Sequence, residues 1–160
     1  YHAKAVFLEK DPDAAPTPLA VRILLMLQVL YRKWASLAFS RLKPWIREWA
    51  APEIYAGVPG RGASDASYAT AVDMEYYRCC GHHITGGVAD IYKCFDQLVR
   101  RLVFELLRLA GMPLRILNPY ADFLTGLIVY NGLVGCLGKP HKRKCGIPQG
   151  CPLSMMVIGL

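Results

Sequence analysis

The sequence predicts an α+β fold in which helices pack on a small antiparallel sheet. Short runs suited to strands (residues 5–8, 83–89, 129–137 and 142–147) alternate with longer runs of helical period (27–42, a stretch reaching to about Cys80, 97–110 and 114–130). Hydrophobic residues make up 54% of the 160, enough for one domain with a real core and too many for a disordered chain. Glycines and prolines fall between the runs rather than within them at the turn of residues 138–141 and at Gly111 and Pro113.

Taken in order, Ala5-Val6-Phe7-Leu8 is a short strand, and residues 9–18 form a loop, because Pro12, Pro16 and Pro18 stand among acidic residues. Residues 19–42 carry a long apolar pattern: a strand or short turn, then a helix over 27–42 with Arg32, Lys33 and Arg41 on its outer face. The apolar run 23–30 is interrupted by Gln28 and is far too short to span a bilayer, so no membrane partner is expected. Trp45 and Trp49 stand four apart, the spacing of a core or interface pair on one helical face. Residues 53–66 form a Gly-rich loop, and Ser64 or Asp65 caps the helix that follows. No Gly-Lys-Ser or Gly-Lys-Thr follows those glycines, which disfavours a Walker-type phosphate loop.

Gly87-Val88-Ala89-Asp90-Ile91-Tyr92-Lys93-Cys94-Phe95-Asp96 reads as a strand ending on a carboxylate, a turn and a helix start. Val88 and Asp90 share one face of such a strand, and Asp90 sits at its carboxyl end, where sheets bind ligands. On the residues alone, Asp90 is either a metal-holding carboxylate or a surface aspartate in a turn. Asp96 is the expected N-cap of a helix over 97–110. Leu98, Leu102, Leu106 and Leu109 form its apolar face, with Arg100, Arg101, Glu105 and Arg108 off it. After Gly111 and Pro113 a second helical pattern covers 114–130. Residues 129–137 and 142–147 then pair as strands about a turn. Lys139, Lys142, Arg143 and Lys144 cluster there, as a solvated turn or as an edge that tracks phosphates. Cys145-Gly146-Ile147-Pro148-Gln149-Gly150-Cys151-Pro152-Leu153-Ser154 specifies an irregular backbone able to pass close to a ligand. A helix begins at Leu153, and the last residues stand inside an apolar pattern, which reads as a fragment of a longer protein.

The net charge of +7 suits a polyanionic partner such as nucleic acid, or simply a soluble basic protein. Six cysteines (Cys79, Cys80, Cys94, Cys136, Cys145, Cys151) show no even framework, so reduced thiols and an intracellular location are expected, nuclear or cytoplasmic. Adjacent ligands in Cys79-Cys80-Gly81-His82-His83 cannot all reach one tetrahedral ion, and the intervals of Cys136, His141, Cys145 and Cys151 match no zinc knuckle. Zinc is therefore not expected.

The Asp90 and Gln149 segments together, in this order and at this separation, resemble motifs A and B of reverse transcriptases, of the group found in non-LTR retrotransposons and group II introns. The resemblance implies part of a polymerase right hand, with a fingers-like segment over 1–82 and a partial palm over 83–160 in one incomplete domain. It implies an RNA-directed DNA polymerase that copies an RNA template from a DNA primer with deoxynucleoside triphosphates, using two magnesium ions about 4 Å apart. Asp90 would be the catalytic carboxylate on the metal, with the carbonyl of Ile91 beside it. Phe95 would lie under the sugar and exclude a ribose 2′-hydroxyl, and Gln149 and Gly150 would line the opposite wall. Arg22, with Ile23 and Lys10, stands roughly where the family's first fingers motif reaches the triphosphate, although the motif's proline is absent. Arg61 belongs to a loop that resembles the family's Gly-Phe-Arg-Pro-Gly-Arg-Ser segment, with Val58 where Phe-Arg would lie. It would touch nucleic acid, as would Lys139, Lys142, Arg143 and Lys144.

Tyr120-Ala121-Asp122-Phe123 looks like part of motif C but is rejected: it lacks the second carboxylate, precedes motif B and sits in a helical pattern. Without motif C the isolated chain is expected to be inactive. The alternative is a catalytically dead, reverse-transcriptase-derived scaffold that binds RNA; an RNA-directed RNA polymerase is disfavoured by Phe95.

Overall fold

The computed structural model describes residues 1–9, 21–133 and 135–160. Apart from Glu9, the loop expected over 9–18, and Lys10 with it, lies outside them. The first strand, β1 (His2–Glu9), pairs antiparallel with β2 (Val21–Met26), Lys4 opposite Met26 and Glu9 opposite Val21. On its other edge β1 pairs parallel with β3 (Ile128–Leu133), His2 opposite Ile128 and Val6 opposite Gly132. Two short strands, β4 (Cys136–Leu137) and β5 (His141–Lys142), then pair antiparallel with β3. The sheet is thus mixed, which corrects the antiparallel expectation. β1 and β3 are far apart in sequence with helices between them, and such crossovers bring strands together parallel. The expected hairpin is also shorter. Lys142 faces Ile128, but residues 143–147 are not a strand, because their backbone groups bond elsewhere, as described below.

Helix α1 (Val29–Trp49) runs through Pro44 and absorbs both tryptophans, whose rings lie 5.6 Å apart. Its buried residues, Tyr31, Ala35, Ala38, Leu42 and Ile46, recur every three to four positions and form one stripe. That stripe meets α5 (Leu114–Gly126), where the Phe123 ring stacks on Tyr31 at 3.4 Å between centroids. Trp45 Nε1 donates to the Ala110 carbonyl at 2.7 Å. Ala3, Ala5, Leu25 and Val129 from the sheet belong to the same core. Residues on both sides of position 82 therefore share one core. Each fully buried Leu or Ile in it contributes about 1.5–3 kcal/mol.

Helix α2 (Ala63–Cys79) buries none of its residues. Its N-cap is Gly62, whose N–H donates to Asp65 Oδ2 at 2.7 Å, so Asp65 caps from inside the first turn and Ser64 does not. Two further expectations are corrected here. Residues 82–91 carry no regular structure, and all of them are exposed, Val88 fully. Gly86 and Gly87 weaken any strand there, and none of the described strands pairs with the segment. Asp96 is not an N-cap. It lies within α3 (Cys94–Gln97), which follows Lys93 in the left-handed region at φ 48°.

Helix α4 (Arg100–Leu109) is rotated from the expected orientation. Leu102, Leu106 and Leu109 are exposed, and Arg100, Val103 and Leu107 are buried. Two apolar stripes share this helix, and packing chose the one that carries the arginine. A short helix, α6 (Ser154–Gly159), starts where the sequence placed it.

Amides of residues 83–90 make no hydrogen bond among the described residues. They are expected to exchange with deuterium at nearly unprotected rates, while the amides of Leu42 and Leu124 are retained. Slow exchange across 83–90 in a peptide-resolved mass measurement would mean that the segment is a paired strand after all.

Candidate functional site

The two stretches that stand out in the sequence are zipped together by their backbones. Gly146 N–H donates to the Leu98 carbonyl and Ile147 N–H to the Phe95 carbonyl, both at 2.8 Å. Gly146 has φ +78°, and a Cβ there would come within 2.9 Å of the Phe95 and Asp96 carbonyl oxygens, so only glycine permits the approach. Side chains lock the same junction. Arg143 is ion-paired with Asp96, each with 18% of its side chain exposed. Arg100, buried at 8% exposure, donates Nε to the Gly146 carbonyl at 2.7 Å. Its Nη1 donates to the carbonyls of Leu124 at 2.6 Å and Arg143 at 2.9 Å. Burial, and after it the neighbouring Arg143 charge, lowers the Arg100 pKa; the guanidinium remains a cation at neutral pH. Three carbonyls from two segments distant in sequence are thus held by one planar fork.

This junction forms one wall of a cavity of about 460 Å³, within the usual range for small-ligand sites. Arg22 and Leu24 of β2 line it, with Phe95 of α3, Gln149 and Gly150 of the loop, and Ser154 of α6. Arg22 is exposed, and Phe95 and Gln149 are half-buried. The loop is anchored from behind by Cys151, whose buried thiol lies 3.2 Å from the Tyr31 hydroxyl. Burial, reinforced by Cys151, pushes the Tyr31 phenol far above its ordinary value, so it stays neutral. Neither a carboxylate nor a histidine lines this cavity among the described residues. The arrangement presents a guanidinium and an aromatic ring to one cavity.

The remaining residues singled out in the sequence fall elsewhere. Asp90 is exposed and does not line the cavity, and the Ile91 carbonyl accepts the Cys94 N–H at 3.3 Å in the turn before α3. Among the described residues no three His, Cys, Asp or Glu side chains gather in a way that could hold a metal ion. Arg61 is engaged with its own loop: Nη1 donates to the carbonyls of Ala51 at 2.5 Å and Ile54 at 2.9 Å. That loop is pressed on α6, where a Cβ on Gly57 (φ +70°) would collide with the Met156 backbone nitrogen. Lys142, Arg143 and Lys144 line a second, larger groove against α4 and α5, and Lys139 does not.

Arg100 was missed as a buried residue although a signal existed: Arg100, Val103 and Leu107 are spaced three and four apart, one helical face. Neither the scan of family models nor the search of curated proteins returned a match. No described helix is long and apolar enough to cross a membrane.

Proposed function

We propose that the chain is part of a reverse transcriptase and contributes the nucleotide-binding wall and part of the palm for template-directed DNA synthesis. One observation supports this above the rest. Arg22, Phe95, Gln149 and Gly150, which the resemblance assigns to the incoming nucleotide from three separate stretches, line one cavity. An anionic triphosphate suits the Arg22 mouth, and a sugar ring suits the Phe95 wall. Magnesium, with Asp90 as one ligand, an RNA template and a DNA primer belong to this reading as requirements of the complete parent protein. A second reading, an RNA-binding scaffold without catalysis, draws on Lys142, Arg143 and Lys144, which line the second groove.

The test uses the parent protein. Asp90→Asn is expected to abolish primer extension at an unchanged melting temperature, because Asp90 is exposed and unpaired among the described residues. A parent without primer extension that still binds RNA, before and after this substitution, is the scaffold. Phe95→Val is expected to keep deoxynucleotide incorporation and raise the ratio of ribo- to deoxynucleotide incorporation. Truncating this half-buried ring costs about 1–3 kcal/mol, so melting temperature and ratio are measured on one preparation. A lowered melting temperature with an unchanged ratio returns Phe95 to the core.

A further inference from the structure

We propose that the groove between α4, α5 and the Lys142–Lys144 segment is a track for the backbone of a single-stranded nucleic acid, separate from the Gln149 cavity. Arg101, Lys142 and Lys144 are its phosphate contacts. The groove encloses about 780 Å³, far more than one phosphate needs, and among the described residues it shares no lining residue with the Gln149 cavity.

Among the described residues its wall holds six arginines and lysines against one carboxylate, Glu105. Three of the six are already engaged. Arg108 pairs with Glu105 at 2.5 Å, Arg143 with Asp96, and Arg100 with three carbonyls. Arg101, Lys142 and Lys144 are exposed and carry no ion pair among the described residues. They remain available to a polyanion.

The floor decides between nucleic acid and an acidic helical peptide. A docked helix needs several exposed apolar anchors. Among the described lining residues only Leu114 is a widely open apolar side chain, at 56%, whereas Leu117 is 5% exposed and Phe104 and Ala121 are half-buried. Affinity must therefore come from charge, as it does for a phosphodiester chain. This inference shares the nucleic-acid partner of the reading above but not its chemistry.

The experiment is fluorescence anisotropy of a labelled uridine-only RNA of about 12 nucleotides, titrated with the chain at several salt concentrations between about 50 and 200 mM. Replacing Arg101, Lys142 and Lys144 together by Ala is expected to reduce the slope of log affinity against log salt by about 2, at roughly 0.7 per phosphate contact. Replacing the exposed Arg32, Lys33 and Arg41 of α1 by Ala removes the same charge and is expected to leave the slope unchanged. Leu114→Glu, which puts a carboxylate on the open floor and removes no cation, is expected to weaken binding, and decides the matter should the triple variant not fold. Equal effects of the two triple variants, unaltered binding by Leu114→Glu, or displacement of the RNA by polyglutamate at lower concentration than by unlabelled RNA would each overturn the proposal. RNA binding that persists unchanged in the groove variants sinks the groove alone. Absence of RNA binding by the unsubstituted chain sinks the groove and the nucleic-acid partner of the reverse transcriptase reading together.

Discussion

Arg100→Met is expected to lower the stability of the chain by about 1–3 kcal/mol, the cost of leaving buried backbone acceptors without their donor. Methionine fills the volume but leaves the carbonyls of Gly146, Leu124 and Arg143 without the donor that now serves them. The loss also removes the tie between α5 and the loop that walls the Gln149 cavity. Arg100→Lys should restore little, because one ammonium on a flexible stem does not reproduce a planar fork directed at three acceptors. The adjacent Arg101→Met is the control. Arg101 is exposed, so its substitution should stay within about 0.5 kcal/mol. Urea unfolding of the three variants checks the prediction, and midpoints for Arg100→Met and Arg101→Met that coincide would remove Arg100 from its assigned role.

Gly146→Ala is expected to cost about 2–5 kcal/mol, from two sources. A left-handed φ of +78° penalises any Cβ by about 1–2 kcal/mol. Forcing the new methyl against the Phe95 and Asp96 carbonyls adds about 1–3 kcal/mol. Those oxygens cannot move cheaply, since Phe95 accepts the Ile147 N–H and Asp96 is held by Arg143. Gly150→Ala separates the two sources. Its φ is +92°, but a Cβ there would meet nothing within 4 Å, so only the backbone penalty applies. Thermal unfolding should therefore rank Gly146→Ala well below Gly150→Ala. Equal melting temperatures would mean that the contact between the two loops is loose. Gly146→Ala should also disturb the Phe95 wall, while Gly150→Ala leaves that wall in place.

The sequence by itself determined the element types and most of their places. Helical period located α1, α4, α5 and the start of α6, and apolar runs located β1 and β3. Those signals are local, set by which residues share a face three to four positions apart or two apart. They also drew attention to Phe95 and to the Gln149 loop, where glycines and prolines force an unusual backbone.

Pairing and orientation were decided only by the tertiary structure. The parallel match of β1 with β3 joins residues more than a hundred positions apart, and no local pattern encodes a partner. The segment before Asp90 has strand-like residues but no described strand to bond with, and a strand without a ladder gains nothing from being extended. On α4 the leucine stripe lost to the stripe carrying Arg100, because a buried guanidinium could satisfy three carbonyls at once. The same balance drew Arg61 into its own loop and Arg143 onto Asp96, leaving Arg101, Lys142 and Lys144 to face the groove. Charge is legible in a sequence; whether a cation is used inside the fold or left for a ligand depends on which backbone acceptors the fold brings within its reach.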